Sequence, residues 1–242
     1  MNESAFSPVG PFLGEEAERL SARLRRGPQV GDVADVMSGL FPFEPQKERP
    51  LLNGLKAFTG DIAPYETLPG PLGFIRYDKR LTEFRPLRCF TGPRLLLRVQ
   101  AVAGRPACAS VDETCATGAS VLTIIPRERP LQGPLLLGLL NSRITAAVAG
   151  ESLLGGLSAE DVLDLPFPPL NPMNRRHRAL QGEIVSAVYR LAYLCRERRS
   201  GKPDWANRVV ERQIRDTDLV LDDLLSRAFG LDDDDRAYLG LG

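Results

Sequence analysis

The sequence predicts an α+β fold: a mixed, mostly antiparallel sheet packed by a leucine-rich helix, followed by a helical C-terminal section. Three observations carry this. Strand-type runs separated by turn residues fill Leu51 to Ile125. A run that is apolar almost all round, PLLLGLLNSRITAAVAG, follows from Pro134 to Gly150 and reads as one helix buried against the sheet. Beyond it, two long stretches repeat apolar residues at helical spacing.

Taken in order, Glu15 to Arg26 forms a short amphipathic helix, with Ala17, Leu20 and Leu24 on one side and Gly27-Pro28 ending it. Val30 to Leu40 is short, apolar and closed by Gly39, as in a strand or a helical turn entering a loop. FPFEPQKERP is a proline-rich surface connection. GFIRYD, Gly73 to Asp78, alternates apolar and polar residues, and PRLLLRVQAVAG, Pro93 to Gly104, reads as a buried strand. A polar turn at Asp112-Glu113 then leads to a second apolar strand, Ala119 to Ile125, giving an antiparallel pair.

After the leucine-rich run, Ser158 with Asp161 three residues on forms a capping box, and LPFPPLNP stops helix formation. Leu180, Ile184, Val188, Leu191 and Cys195 lie on one helical face, and Val210, Ile214, Thr217, Leu221, Leu224 and Ala228 on another. Gly201 and Pro203 between them predict an antiparallel hairpin, which serves either as a spacer or docking surface or as a bundle closing the core. The expected division is 1–29, an N-terminal helix and linker; 30–172, an α+β unit; and 173–242, the helical hairpin.

Composition is that of a soluble globular chain, 43% hydrophobic and 26% charged. The longest apolar stretch, Pro134 to Leu140, is too short to span a bilayer, and the first residues carry no export signal. Four cysteines without a C-x-x-C pair read as free thiols in a reducing cytoplasm. Net charge is zero but uneven. Arg76 to Arg105 holds eight Lys/Arg against two acids, a balance of +6; Asp216 to Arg236 holds eight Asp against two Arg, a balance of −6. Either a basic face meets a polyanion with the acidic region kept apart, or two solvated faces partly neutralise each other; charge alone leaves both open.

The sequence predicts no catalytic centre, no metal site and no cofactor. It has no G-x-G-x-x-G after a strand and no P-loop. The single histidine, His177, reads as a surface residue, and Cys89, Cys108 and Cys115 lack both a fourth ligand and zinc-site spacing. DLPFPPL, Asp164 to Leu170, is a proline-stiffened chain reversal rather than a D-P-P-Y/F motif. Pro203-Asp204 followed by Glu211-Arg212-Gln213 lacks the lysine of a nuclease site and reads as a helix start.

Several pieces, in order, resemble the TaqI-type specificity domain found at the C-terminus of many DNA adenine methyltransferases. VGDVADVMSGL resembles the segment leading into such domains, and RPLLNGLKAFTGDIAPYE its entry pattern. GFIRYD and PRLLLRVQ resemble its next two strands, TCATGASVLTIIP the strand after the polar turn, and LLLGLLNSRI its leucine-rich helix with a central L-N-S-[KR]. GGLSAEDVLDLPFPPLN resembles the capped helix running into a proline stop, and LDDLLSRAFGLDDDDRAYL the closing helix. The resemblance covers Val30 to Leu239, with one departure: only about fifteen residues separate GFIRYD from PRLLLRVQ, where the family has a long insertion.

The resemblance implies a non-catalytic DNA sequence-recognition module, a stand-alone specificity subunit or a fragment of a larger enzyme. Its partners would be double-stranded DNA and a methyltransferase or restriction subunit carrying the catalytic domain. Backbone grip calls for Lys/Arg and base reading for bidentate side chains. The candidate DNA-binding residues are Lys56, Arg76, Lys79, Arg80, Arg85, Arg88, Arg94 and Arg98, with at least one of Arg94 and Arg98 free to serve a structural salt bridge instead. Asn141 is expected to tie the leucine-rich helix to neighbouring backbone. Two other classes stay open: a protein-interaction module derived from a recognition domain, and an enzyme with a deep carboxylate-lined pocket.

Overall fold

A computed structural model of the chain describes residues 6, 14–78, 81, 84–201 and 203–241. It is α+β, as the sequence predicts. Helix α1 (Glu15–Leu24) buries Ala17, Leu20 and Leu24 as its periodicity requires. The Val30 to Leu40 segment is both of its expected alternatives in succession: a helical turn, α2 (Val30–Val33), and then strand β1 (Ala34–Ser38). Strands β2 (Gly54–Ala57), β3 (Asp61–Ala63), β4 (Glu66–Leu68) and β5 (Gly73–Arg76) follow, and a 3₁₀ turn (Leu87–Phe90) leads into β6 (Arg94–Arg98), β7 (Cys108–Val111) and β8 (Val121–Pro126).

The central sheet has the order β1-β8-β6-β7, and every ladder in it is antiparallel. β2 pairs with β5, and β3 with β4, as two separate antiparallel ribbons. The long strand expected from Pro93 to Gly104 ends at Arg98. Val102 and Arg105 exchange backbone hydrogen bonds at 2.8 and 3.1 Å around Ala103 and Gly104. Both of these residues have positive φ (51° and 76°), so the chain reverses in a tight hairpin and returns as β7. The apolar run is therefore the start of a β6–β7 hairpin, and the expected two-stranded pair is the middle of a four-stranded sheet.

β6 is apolar at every inner position because both its faces are covered. Leu95 and Leu97 join the main cluster under the helices, while Leu96 packs with Ile62, Ala109 and Cys115 under the β3–β4 side.

The single helix expected from Pro134 to Gly150 is two, α3 (Arg129–Leu140) and α4 (Arg143–Ala149). The break has a local cause. Asn141 turns its side chain onto β7, and Ser142 starts the second helix by accepting from the Thr145 amide at 3.2 Å. Gly138 lets α3 approach its neighbour: a Cβ there would stand 2.7 Å from Val188 Cγ2.

Short helices α5 (Ser152–Gly155) and α6 (Ala159–Leu163) come next, the latter opened by the Ser158/Asp161 capping box. Asp164 closes α6, and the proline-rich passage runs beside the Pro28 segment, with the Phe167 amide bonded to the Pro28 carbonyl at 2.7 Å. Helices α7 (Arg175–Arg198) and α8 (Asp204–Phe229) pair with each other, and α9 (Asp233–Tyr238) ends the fold. His177 lies in the first turn of α7, where its Nδ1 accepts from the Asn171 amide at 2.9 Å. All four cysteines are free and buried. No described helix is long and apolar enough to cross a membrane.

Candidate nucleic-acid interface

The β2–β5 ribbon has two unlike faces, which follow from strand alternation. Leu55, Ala57 and Ile75 point into a small core with Leu40, Phe90 and Ala116. Gly54, Lys56, Phe74 and Arg76 take the other face, because Gly54 is registered with Arg76 and Lys56 with Phe74. Lys56 and Arg76 therefore share the outer side of a ribbon whose back is anchored, with side chains 43% and 49% exposed.

Both cations have carboxylate neighbours. Lys56 pairs with Glu113, and Arg76 Nε stands 2.7 Å from Asp78 Oδ2. The Lys56–Glu113 pair is solvated and contributes only about 0–1 kcal/mol, so exchanging its carboxylate for a phosphate costs little; Asp78, with its side chain 18% exposed, holds Arg76 in a half-buried pair.

Arg85 and Arg88 lie on the segment that returns from this ribbon. Arg85 donates to Ser38 Oγ of β1 at 2.9 Å, tying the segment to the sheet edge. Tyr77, packed on Phe84 with ring centroids 4.9 Å apart, donates its hydroxyl to the Arg85 carbonyl. Arg88 is exposed at the 3₁₀ turn, between the ribbon's core and solvent. Arg98 sits elsewhere, bonded at 3.0 Å to both carboxylate oxygens of Asp61 at the start of β3. Lys79 and Arg80 lie outside the described residues.

Arg94 is held by backbone carbonyls, whereas Arg98 makes the salt bridge expected of at least one of the two. Arg94 is 1% exposed, and its guanidinium donates to the carbonyls of Gly92, Glu113 and Cys115 at 2.9–3.0 Å. A side chain so placed cross-links the β6 entry to the loop before β8 and does not reach a ligand on the surface.

The basic and acidic stretches meet at one point. Arg105, from the basic stretch, is paired inside the protein with Asp218 from the acidic one. Asp222 meets Arg143, Asp223 meets Arg236, and Asp232 and Asp235 both meet Arg23 of α1. Five of the eight aspartates thus serve as fixed struts of the helical section rather than as a repelling surface. Burial raises the Asp222 carboxyl to about 7, against the pull of Arg105.

Arg49 was not among the expected site residues. Its stem lies over Gly54, on the side of the ribbon that carries Lys56 and Arg76. The signal available was the basic pair Lys47 and Arg49 in the proline-rich connection just ahead of β2.

A cavity of about 770 Å³ opens between α3, α7 and the strands β4 and β7, walled by Leu95, Leu137, Val188 and Ala192. Glu66 and Asp112 share its lining with Arg94, Arg196 and Arg199. Burial raises the Glu66 carboxyl, opposed by Arg199 and Arg198 at 3.5 and 3.6 Å. Among the described residues, no group of three or more His, Cys, Asp or Glu could hold a metal ion.

No protein-family model matches the sequence, and no curated protein matches it. Among solved structures, 88% of the chain overlies 50% of the HsdS subunit from Thermoanaerobacter tengcongensis, with 14% identity and a TM-score of 0.39. The same share overlies 53% of a chain from the structure of a type I R-M system, with 16% identity and a TM-score of 0.45. A further 61% overlap covers 20% of the type IIL restriction-modification enzyme MmeI in complex with DNA, with 17% identity and a TM-score of 0.40. The chain spans about half the length of the first two of these and a fifth of the third.

Proposed function

We propose that the chain is a DNA sequence-recognition module of a restriction-modification system. It seats duplex DNA on the outer face of the β2–β5 ribbon and positions a separate or missing adenine methyltransferase or restriction domain on it. One observation carries the reading: Lys56 and Arg76 project together from a two-stranded ribbon whose opposite face is fixed in a core. A ribbon of this kind matches the roughly 12 Å width of the major groove, and its cations match the phosphates beside it. The ordered pieces that resemble the TaqI-type specificity domain point the same way.

In this reading residues 30–172 do the recognition, with Lys56, Arg76, Arg85 and Arg88 as phosphate and base contacts, Lys79 and Arg80 as further candidates from the same stretch, and Arg98 as a separate contact beside Asp61. The hairpin of 173–242 presents the exposed Tyr189, Tyr193, Trp205 and Val209 to the catalytic partner. Exposed apolar and aromatic side chains on helices suit a protein contact. The recognition contacts offset the unstacking that the partner needs to flip its target base.

Titration of randomised duplex DNA at two salt concentrations tests the reading. Phosphate binding gives a steep loss of affinity with salt, and joint replacement of Lys56, Arg76, Arg85 and Arg88 by alanine abolishes it. A flat salt response, or unchanged binding by that variant in the complex with its partner, sinks the proposal and leaves the protein-interaction reading.

A further inference from the structure

The end of the β2–β5 ribbon carries a feature that phosphate grip does not explain. Leu51 and Leu52 stand in the turn before β2 with relative exposures of 103% and 71%. The turn is held firmly under them. Asn53 takes a left-handed backbone conformation (φ 55°), and its carbonyl accepts from the Tyr77 amide of the opposite chain at 2.9 Å. Gly54 leaves room for the turn to fold back: a Cβ there would lie 2.7 Å from the Pro50 carbonyl and 2.9 Å from Arg49 Cγ. Two large aliphatic side chains are thus presented to solvent by a braced turn, with Arg49, Lys56 and Arg76 on the ribbon face beside them.

We propose that Leu51 and Leu52 form a wedge that enters a base step of the bound duplex while Arg49, Lys56 and Arg76 hold the phosphates on either side. The inference rests on the DNA-recognition reading and deepens it. Apolar side chains inserted between base pairs unstack them, and the surrounding cations hold the distorted backbone. Pyrimidine–purine steps unstack most readily, so such a wedge reads sequence through deformability at a position where it makes no hydrogen bond. Phe84, packed on the same Tyr77 that braces Asn53, places a third exposed apolar group near this end of the ribbon.

An anionic membrane would also attract an apolar tip flanked by cations. Two leucine side chains hold fewer carbons than one myristoyl chain, which by itself gives only marginal membrane binding. The duplex is the better match because Lys56 and Arg76 are diagonal neighbours on one face of a paired ribbon, a close pair of cations that suits successive phosphates, whereas basic patches that bind lipid gather roughly four to eight.

The test uses the full chain and duplexes enriched by it from a randomised pool, with 2-aminopurine placed at each purine in turn. The expected result is a fluorescence rise at one step on binding. Joint Leu51→Ala and Leu52→Ala removes that rise and weakens binding about tenfold or more with the salt slope unchanged. Joint Arg49→Ala, Lys56→Ala and Arg76→Ala flattens the salt slope yet retains the rise at saturating protein. Enrichment of duplex without any fluorescence rise, or a rise that survives the leucine replacements, overturns the wedge alone. Failure to enrich any duplex overturns the recognition reading as well. Leucine-dependent binding to phosphatidylserine vesicles in place of duplex overturns both and reassigns the tip to a membrane surface.

Discussion

Arg105 and Asp218 meet in a two-bond pair, at 2.6 and 3.1 Å, although 113 residues separate them in the chain. Their side chains are 3% and 2% exposed, and Arg105 also donates to the Asn141 carbonyl at the helix break and faces the Phe6 ring at 5.7 Å. One guanidinium therefore joins the β6–β7 hairpin, the α3–α4 junction and α8. This joint holds the helical hairpin against the part of the chain that carries the ribbon.

Removing either charge from this pair leaves the other buried without a partner. Asp218→Asn and Arg105→Met are each expected to lower the unfolding free energy by about 3–5 kcal/mol, read by chemical denaturation. The double variant should lose clearly less than the two losses combined, because neither charge then remains uncompensated. Additive losses would show that the pair itself contributes nothing.

Asp222 lies one turn along α8, completely buried, with Arg105, Asp218 and Arg143 around it. Its folded-state carboxyl, near 7, is above its ordinary value of 3.8. The stability contributed by the protonated form is complete below about pH 4 and is lost as pH rises through 7. Asp222→Asn keeps an oxygen for the Arg143 amide, which now bonds Asp222 Oδ1 at 3.0 Å, and removes the titration. Relative to wild type, the variant should gain stability between pH 5 and pH 8, by roughly 2–3 kcal/mol. Denaturation curves at both pH values decide it: parallel pH responses in the two proteins contradict the assignment.

Elements set by local chemistry were legible in the sequence. The Ser158/Asp161 box, the apolar stripes of α7 and α8 and the stop at Pro166 depend on residues within a few positions of one another. The β6–β7 turn was not, because Ala103 is an uncommon residue at positive φ and the flanking apolar residues make the run look continuous. The break at Asn141 rests on β7 as well as on the Ser142 cap, and the apolar periodicity of the run hides both. The ion pairs that bind the acidic stretch to Arg23, Arg105 and Arg143 span distant parts of the chain, and charge counting left open whether the two stretches meet. Of the candidate cations, strand alternation could align Lys56 and Arg76 only once their register was known, and Arg94 was separable from Arg98 only through burial.

Asn141 fastens the helix break to β7 with two side-chain bonds and to its own helix with a third. It accepts from the Cys108 amide at 2.9 Å and donates to the carbonyls of Cys108 and Leu137 at 3.0 and 2.9 Å. Asn141→Ala leaves buried backbone groups unpaired and should cost about 3 kcal/mol. The local signature is faster hydrogen exchange at the Cys108 amide than at Leu96, in the middle of β6. Uniform acceleration across the sheet would mean that the side chain stabilises the fold without anchoring this strand.

Arg94 and the ribbon cations should respond in opposite ways to replacement. Arg94→Lys retains the charge but cannot span the carbonyls of Gly92, Glu113 and Cys115, so it should lower stability by about 2–3 kcal/mol. The duplex affinity of the molecules that remain folded, and its salt slope, should stay unchanged. Lys56→Ala should leave stability within about 0.5 kcal/mol, since its ion pair is solvated, and Arg76→Ala, whose partner Asp78 is half-buried, within about 1 kcal/mol. Each should instead reduce the salt slope of duplex binding by about one unit. The two measurements, denaturation midpoint and salt slope, thus separate a cation that holds the protein together from one that holds DNA, and a lowered slope in Arg94→Lys at full stability would reverse the assignment.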